Sequence, residues 1–217
     1  MDRITAFLSY SSVQKQICGK LKLLLIDYCG YDVFVAHEDI QGSKIWEEEI
    51  FNNIVSSDFF IPLLSRSFRE SNFADQEIGI AVCLKKKIIP IKLDTTNPYG
   101  FIQKYQAIQL RSNFNTTDSL YNLDKLISTI AQIGLSFDPQ SSFYQKALNS
   151  IIYAFTHSKS YKCSNTIIQI LCECNNFTQQ NLKDITRAVK ANPQIQGAFG
   201  LTNLRKYFLQ RQNTIID

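Results

Sequence analysis

Over its first 110 residues the chain alternates short apolar runs with longer amphipathic stretches. Residues 4–9 read as a strand. Residues 14–28 read as a helix with Ile17, Leu21, Leu24 and Leu25 on one side, and Gly30 follows where a C-cap glycine belongs. A second strand fits 31–36 and a helix 45–55, where Trp46, Ile50 and Ile54 recur one turn apart. Residues 58–64 form a nearly continuous apolar strand. A helix over about 72–86, a strand over 87–93, a short helical turn at 101–106, a strand at 107–110 and a helix over 119–133 complete this half. Continuous apolar strands separated by helices predict a parallel sheet covered on both faces.

Five strands at this spacing predict an α/β, flavodoxin-like sheet in the order 2-1-3-4-5. Asp138-Pro139 and the polar run after it mark a boundary, so the expected division is 1–138 and 139–217. Beyond it the pattern is all helical, with helices near 142–156, 164–174, 179–191 and 201–211. Thr178 is placed to cap the third of these and Asn192-Pro193 to stop it.

Composition changes this picture little. Apolar residues make up 45% and charged ones 19%, as in an ordinary globular protein. No apolar run approaches membrane-spanning length, and the opening residues do not have the form of a signal peptide. Six cysteines show no metal-ligand spacing, so free thiols, no metal and a cytoplasmic location are expected. Charge is more informative, because it is uneven. Residues 1–138 carry 14 basic and 16 acidic side chains, a net of −2, whereas residues 139–217 carry 9 and 3, a net of +6. Without interleaved aromatics this basic tail argues for a solvated surface rather than a nucleic-acid partner.

The chemistry is expected at one place. In an open parallel sheet a ligand binds beyond the carboxyl ends of the strands, where the strand order reverses. The lip there is Ser9-Tyr10-Ser11-Ser12 and Ser65-Arg66-Ser67-Phe68, plus the start of the helix near Asn72. On that helix Phe73, Glu77, Ile80 and Leu84 follow at helical spacing, which puts the Glu77 carboxylate in line with apolar neighbours. The loop between Ala36 and Trp46, carrying His37 and Asp39, is positioned as a lid. Serine hydroxyls, the carboxylates of Glu77 and Asp39 and the plane of Trp46 suit a sugar-rich ligand. No Gly-x-Gly-x-x-Gly, P-loop or Gly-x-Ser-x-Gly pattern is present. A phospho-acceptor receiver is disfavoured too, because Ser9 and Ser65 stand where it needs carboxylates.

The segments Phe7-Leu-Ser-Tyr-Ser11, Gly30-Tyr-Asp-Val-Phe34, Glu38-Asp-Ile40, Gly42-x-x-x-Trp46, Ser57-Asp58, Leu64-Ser65, Ser71-x-Phe73, Gln76-Glu77 and Ile88-Ile-Pro-Ile91 together resemble a Toll/interleukin-1 receptor (TIR) domain over about residues 1–133. The phrases Ala36-His-Glu-Asp-Ile40 and Pro98-Tyr-Gly-Phe-Ile102 resemble the small prokaryotic antiviral-defence members of Thoeris-like, NAD-processing type. The resemblance implies an enzyme that takes NAD⁺ as substrate, with no further cofactor, and cleaves its nicotinamide–ribose bond. The product would be ADP-ribose or a cyclic form acting as a messenger to a separate effector protein. It implies Glu77 as the catalytic residue. Phe7, Ser9, Tyr10, Ser11, Asp39, Trp46 and Phe73 would border the substrate, in a homo-oligomer without a membrane. The alternative it leaves open is a non-enzymatic scaffold acting through TIR–TIR contacts.

Other polar residues are given plainer roles. Asp75 suits the positive end of its helix, Ser9 lacks a neighbouring base and reads as a contact rather than a nucleophile, Arg66 is a candidate phosphate contact, and His157 reads as inert.

Overall fold

The computed structural model describes residues 2–35, 46–110 and 117–216, with the side chains of 117–125 and 212 outside that description. The strands are β1 (Thr5–Ser9), β2 (Asp32–Val35), β3 (Phe59–Leu64), β4 (Lys87–Ile88), β5 (Ile91–Lys92) and β6 (Ile108–Gln109). All pair in parallel, in the order β2-β1-β3-β5-β6, with β4 also on β3. β4 and β5 are two halves of the expected fourth strand, so the order is the flavodoxin-like one, with helices on both faces and a helical C-terminal extension.

Pro62 explains why the fourth strand is in two pieces. Ile89 N–H donates to the Phe60 carbonyl at 3.0 Å, and Leu93 N–H to that of Leu64 at 2.9 Å. Between these rungs the parallel ladder asks residue 62 to donate to the Ile89 carbonyl, and proline has no N–H. Pairing stops at Ile89-Pro90 and resumes at Ile91.

The chain divides into two compact units. One comprises Ile4–Leu23 and Asp32–Leu126, and the other Met1–Arg3, Leu24–Tyr31 and Ile127–Asp217. In the sheet unit one face of β1–β3 carries a row of rings. Phe7 is fully buried, with ring centroids 5.4 Å from Phe34 and 5.7 Å from Phe60, its register partners on both sides. Helices α2 (Trp46–Ser56) and α4 (Asn72–Cys83) cover this row with Ile50, Ile54, Ala74, Ile78 and Ala81. Between β3 and α4 sits the single turn α3 (Arg66–Arg69), which the apolar pattern does not predict.

The helical unit contains the C-terminal half of α1 (Lys15–Cys29) and of α5 (Thr117–Leu135). With them are α6 (Ser142–Thr156), α7 (Tyr161–Leu171), α8 (Gln179–Ala191), α9 (Pro193–Gln196) and α10 (Leu201–Gln212). Its caps are the ones the sequence marks. Thr178 accepts the Asn181 N–H at 3.1 Å to open α8, and Asn192 ends α8 and caps α9 through Gln194 N–H. Gly30 closes α1 at φ +67°. Its N–H reaches the Ile26 carbonyl at 3.1 Å, the single 5→1 bond of an αL ending, and the Tyr31 N–H reaches the Leu25 carbonyl at 3.2 Å.

Gly30 has a second reason to be glycine. A Cβ there would stand 1.8 Å from the Ser150 backbone carbonyl on α6, where no side chain can yield. Gly30→Ala therefore combines left-handed strain with backbone overlap, and should lower stability by about 3 kcal/mol or more in urea melts. Gly79 lies inside α4, and a Cβ added to it would meet nothing within 4 Å. Gly79→Ala should be neutral or stabilising by up to about 1 kcal/mol in the same assay.

Candidate functional site

The strand order reverses between β1 and β3, and the polar residues gather at their carboxyl ends. Ser9 ends β1 and is buried; its hydroxyl donates to Oε2 of Glu77, on the second turn of α4. Glu77 is itself buried, at 8% exposure. Removal from water pushes its carboxyl up from the usual 4.5 to about 7, against the opposing effect of the Ser9 hydrogen bond.

The packing of α4 differs from the expected phase. Its buried stripe is Ala74, Glu77, Ile78 and Ala81, while Phe73 and Leu84 are 51% and 39% exposed. Small alanines let the helix sit close to the sheet, so the residue three after Ala74 is drawn inward and the large Phe73 is left at the rim. There Phe73 meets Trp46, the first residue of α2, edge to face at 4.7 Å between centroids. Trp46 is half-buried against the same core.

The other expected residues fall in different settings. Tyr10 and Ser11 are buried just past the end of β1. Phe7 lies beneath them in the ring row, with no exposed surface of its own. Asp39 and His37 fall outside the described residues. Arg66 is engaged by Glu70 at 3.0 Å while its N–H meets Asp94 at 2.9 Å. Asp75, in the first turn of α4, also accepts the Tyr99 hydroxyl at 2.8 Å, tying the loop after β5 to the helix.

Gln14 joins the site although nothing in the apolar pattern singles it out. Its side-chain oxygen accepts the Ser11 N–H at 3.1 Å, and its amide nitrogen donates to the Ser65 hydroxyl. Ser65 also accepts Phe68 N–H at 3.1 Å to cap α3 and lies 3.0 Å from the Ser67 hydroxyl. One buried amide thus clamps the loop after β1 to the loop after β3. The spacing Ser11-x-x-Gln14, that of a capping box, is the signal by which the sequence could reveal it.

Among the described residues, no group of three His, Cys, Asp or Glu side chains could hold a metal ion, and no helix is long and apolar enough to cross a membrane. The site is a recessed carboxyl and a hydroxyl beside an aromatic rim. Such a set can hold a polyhydroxylated ligand and stabilise positive charge developing next to Glu77.

The family model of the TIR domain matches residues 6–127, more than half of the chain and all of the strands but the first residue of β1. The chain belongs to the TIR domain family. No curated protein matches this TIR chain. Among solved structures it is similar to the TIR domain of the Toll-related receptor TRR-2 of Hydra magnipapillata, at 19% identity over 56% of this chain and 96% of that one, TM-score 0.46. It is also similar to a prokaryotic SEFIR domain, at 19% identity over 59% and 92%, TM-score 0.44. A third is the CMP N-glycosidase BcmB of Clostridium botulinum, at 19% identity over 56% and 97%, TM-score 0.37. The family assignment rests on the model match.

Burial of Glu77 has a thermodynamic consequence independent of any activity. The native TIR unit keeps this proton up to about pH 7, whereas the unfolded chain loses it near 4.5. Stability therefore falls as pH rises through that window and levels off above it. Glu77→Gln cannot ionise, so it should be more stable than wild type at pH 8 by about 3 kcal/mol and nearly equal to it at pH 4.5. Denaturant melts at the two pH values measure both differences.

Proposed function

We propose that this TIR protein cleaves NAD⁺ at the nicotinamide–ribose bond, with Glu77 as the catalytic residue. The observation that carries the reading is the buried Glu77 carboxyl, hydrogen-bonded to Ser9 at the switch point of the sheet. TIR family membership is compatible with signalling as well as with NAD processing.

In the proposed reaction the C1′–N bond breaks and its electron pair leaves with nicotinamide, which departs as a neutral base. General-acid help is unnecessary. The ribose gains oxocarbenium character, and the Glu77 carboxylate stabilises that charge while orienting the ring hydroxyls. Ser9 holds the carboxylate in place. The Trp46–Phe73 pair, with Tyr10, Ser11 and Asp39, borders the nucleotide, and Phe7 acts from beneath by packing. A cationic nicotinamide ribose favours the ionised form of Glu77, so its arrival expels the proton that burial retains. Water or a group of the same nucleotide then captures the cation, with loss of a proton to solvent where the attacking group is water or a hydroxyl, giving ADP-ribose or a cyclic messenger for a separate effector.

Residues 1–138 would carry the reaction, in the cytoplasm, while residues 139–217 serve regulation or assembly into a homo-oligomer. Activity per protomer should then rise with protein concentration. A flat dependence from a proven monomer refutes the assembly requirement.

The direct test is nicotinamide release from NAD⁺. Glu77→Gln should lose at least about a hundredfold in rate, on the order of 3 kcal/mol of transition-state stabilisation. Release by wild type should climb with pH through about 7, as the free carboxyl ionises, and then level off. Equal turnover by wild type and mutant removes the site assignment. Absence of turnover in every assembled state favours the second reading, a scaffold acting through TIR–TIR contacts, in which Glu77→Gln retains function.

A further inference from the structure

The helical unit holds a cavity of about 630 Å³ for which the proposed NAD⁺ chemistry has no use. Its walls come from Arg3 and from α6, α8 and the start of α9, residues far apart in sequence. The size is in the range that takes a nucleotide-sized molecule.

The cavity's polar groups are arranged rather than scattered. Arg3 lies over the Tyr153 ring, 3.9 Å from its centroid, and His157 stacks on the same ring at 4.1 Å. Two groups that close to one centroid cannot share a face, so guanidinium, phenol and imidazole form a three-layer stack. Arg3 is held in it by donating to the Gly30 carbonyl at 3.1 Å. His157 Nδ1 lies 2.9 Å from both the Tyr153 carbonyl and the Thr156 hydroxyl, contacts that fix the orientation of the ring. One face of the imidazole is covered by Tyr153, and the exposed residue has the other to offer.

Arg187 and Asp184, from α8, line the same cavity. Asp184 is mostly buried and already shared, accepting both Gln180 contacts at 3.0 and 3.1 Å, and it lies 3.8 Å from Arg187. Arg187 is 77% exposed on its side chain and keeps most of its donors. The lining therefore carries two guanidinium groups and an imidazole with a single carboxylate that is largely spoken for. The apolar remainder of the lining includes Ile152, Ala188 and Pro193. The segment supplying most of the cavity, residues 139–217, is also the one with the net charge of +6, which draws anions toward it.

We propose that this cavity binds a small phosphate-bearing nucleotide. The phosphate sits against Arg187 and Arg3, and the planar base lies on the free face of His157 and the apolar wall. Preorganisation favours this reading, since Arg3 and His157 are already fixed on Tyr153 and lose little freedom on binding. Guanidinium–phosphate pairing is the strong component and the stacking surface selects the base. The site does not depend on the reaction proposed for Glu77, and both could exist without the other.

The test is calorimetric titration of ADP into the full chain, with adenosine and inorganic phosphate as partial ligands. Wild type and Glu77→Gln should bind ADP equally, which separates this cavity from the sheet's cleft. Arg187→Glu, at an exposed position where folding should be kept, should weaken ADP by about tenfold or more. Ala191→Trp, exposed at the lining, should fill the cavity and abolish binding. Adenosine and phosphate should each bind at least about tenfold more weakly than ADP. The proposal is overturned if ADP gives no binding at millimolar concentration, or if its affinity survives both cavity substitutions. Binding lost in Glu77→Gln, or matched by adenosine or by phosphate alone, overturns it as well.

Discussion

A carboxyl group stays buried only if the elements on either side of it have no slack, and at Glu77 that condition is met by the packing of α4 on the sheet. Ala74, Ile78 and Ala81 set the helix down on the ring row of Phe34, Phe7 and Phe60, and Ser9 supplies the single hydrogen bond that the described side chains offer the acid. Lifting the helix would admit water and restore an ordinary acidity. The raised pKa is thus a consequence of core packing, and the chemistry proposed for the site is inherited from it. The Gln14 clamp applies the same logic to the backbone, holding two strand-end loops through one side-chain amide rather than through the sheet itself.

The two units use charge in opposite ways. In the sheet unit a lone acid is stripped of water and held neutral to higher pH than an exposed carboxyl. In the helical unit the Arg3 guanidinium is stacked on the Tyr153 ring, which fixes it without neutralising it. The first arrangement stores an unfavourable desolvation, and the second keeps an attraction available to solvent. This contrast agrees with the division of net charge along the chain, −2 before residue 139 and +6 after it.

Much of the fold is legible because its signals are local. Alternating apolar runs mark the strands, Gly30 and Thr178 mark helix ends that the structure places at the same residues, and chain order with strand spacing leads to the observed sheet order. Legibility fails where packing, not pattern, decides. On α4 the eye follows Phe73 and Leu84, but two alanines carry the contact and the large residues stay outside. Pro62 is visible in the sequence, yet its effect falls on a different strand, at Ile89. His157 reads as inert because Tyr153 and Arg3, which give it a setting, are a turn away and most of the chain away. Glu77 is legible as a candidate through both topology and family resemblance. Its depth of burial is not, since that depends on neighbours contributed by β1.

Helix α1 belongs to both units, its first half to the sheet unit and its second to the helical one. Cys29 at its end and Tyr31 just beyond it donate to the carbonyls of Ile127 and Ile130, across sequence separations of 98 and 99 residues. During synthesis this segment emerges early and must wait, apolar side chains uncovered, until almost a hundred further residues have been made. Closing so long a loop is slow compared with forming the helix itself. The nascent chain therefore passes through a stage in which the sheet has its strands but α1 is only half housed, which is where a chaperone would find its surface and where aggregation would begin.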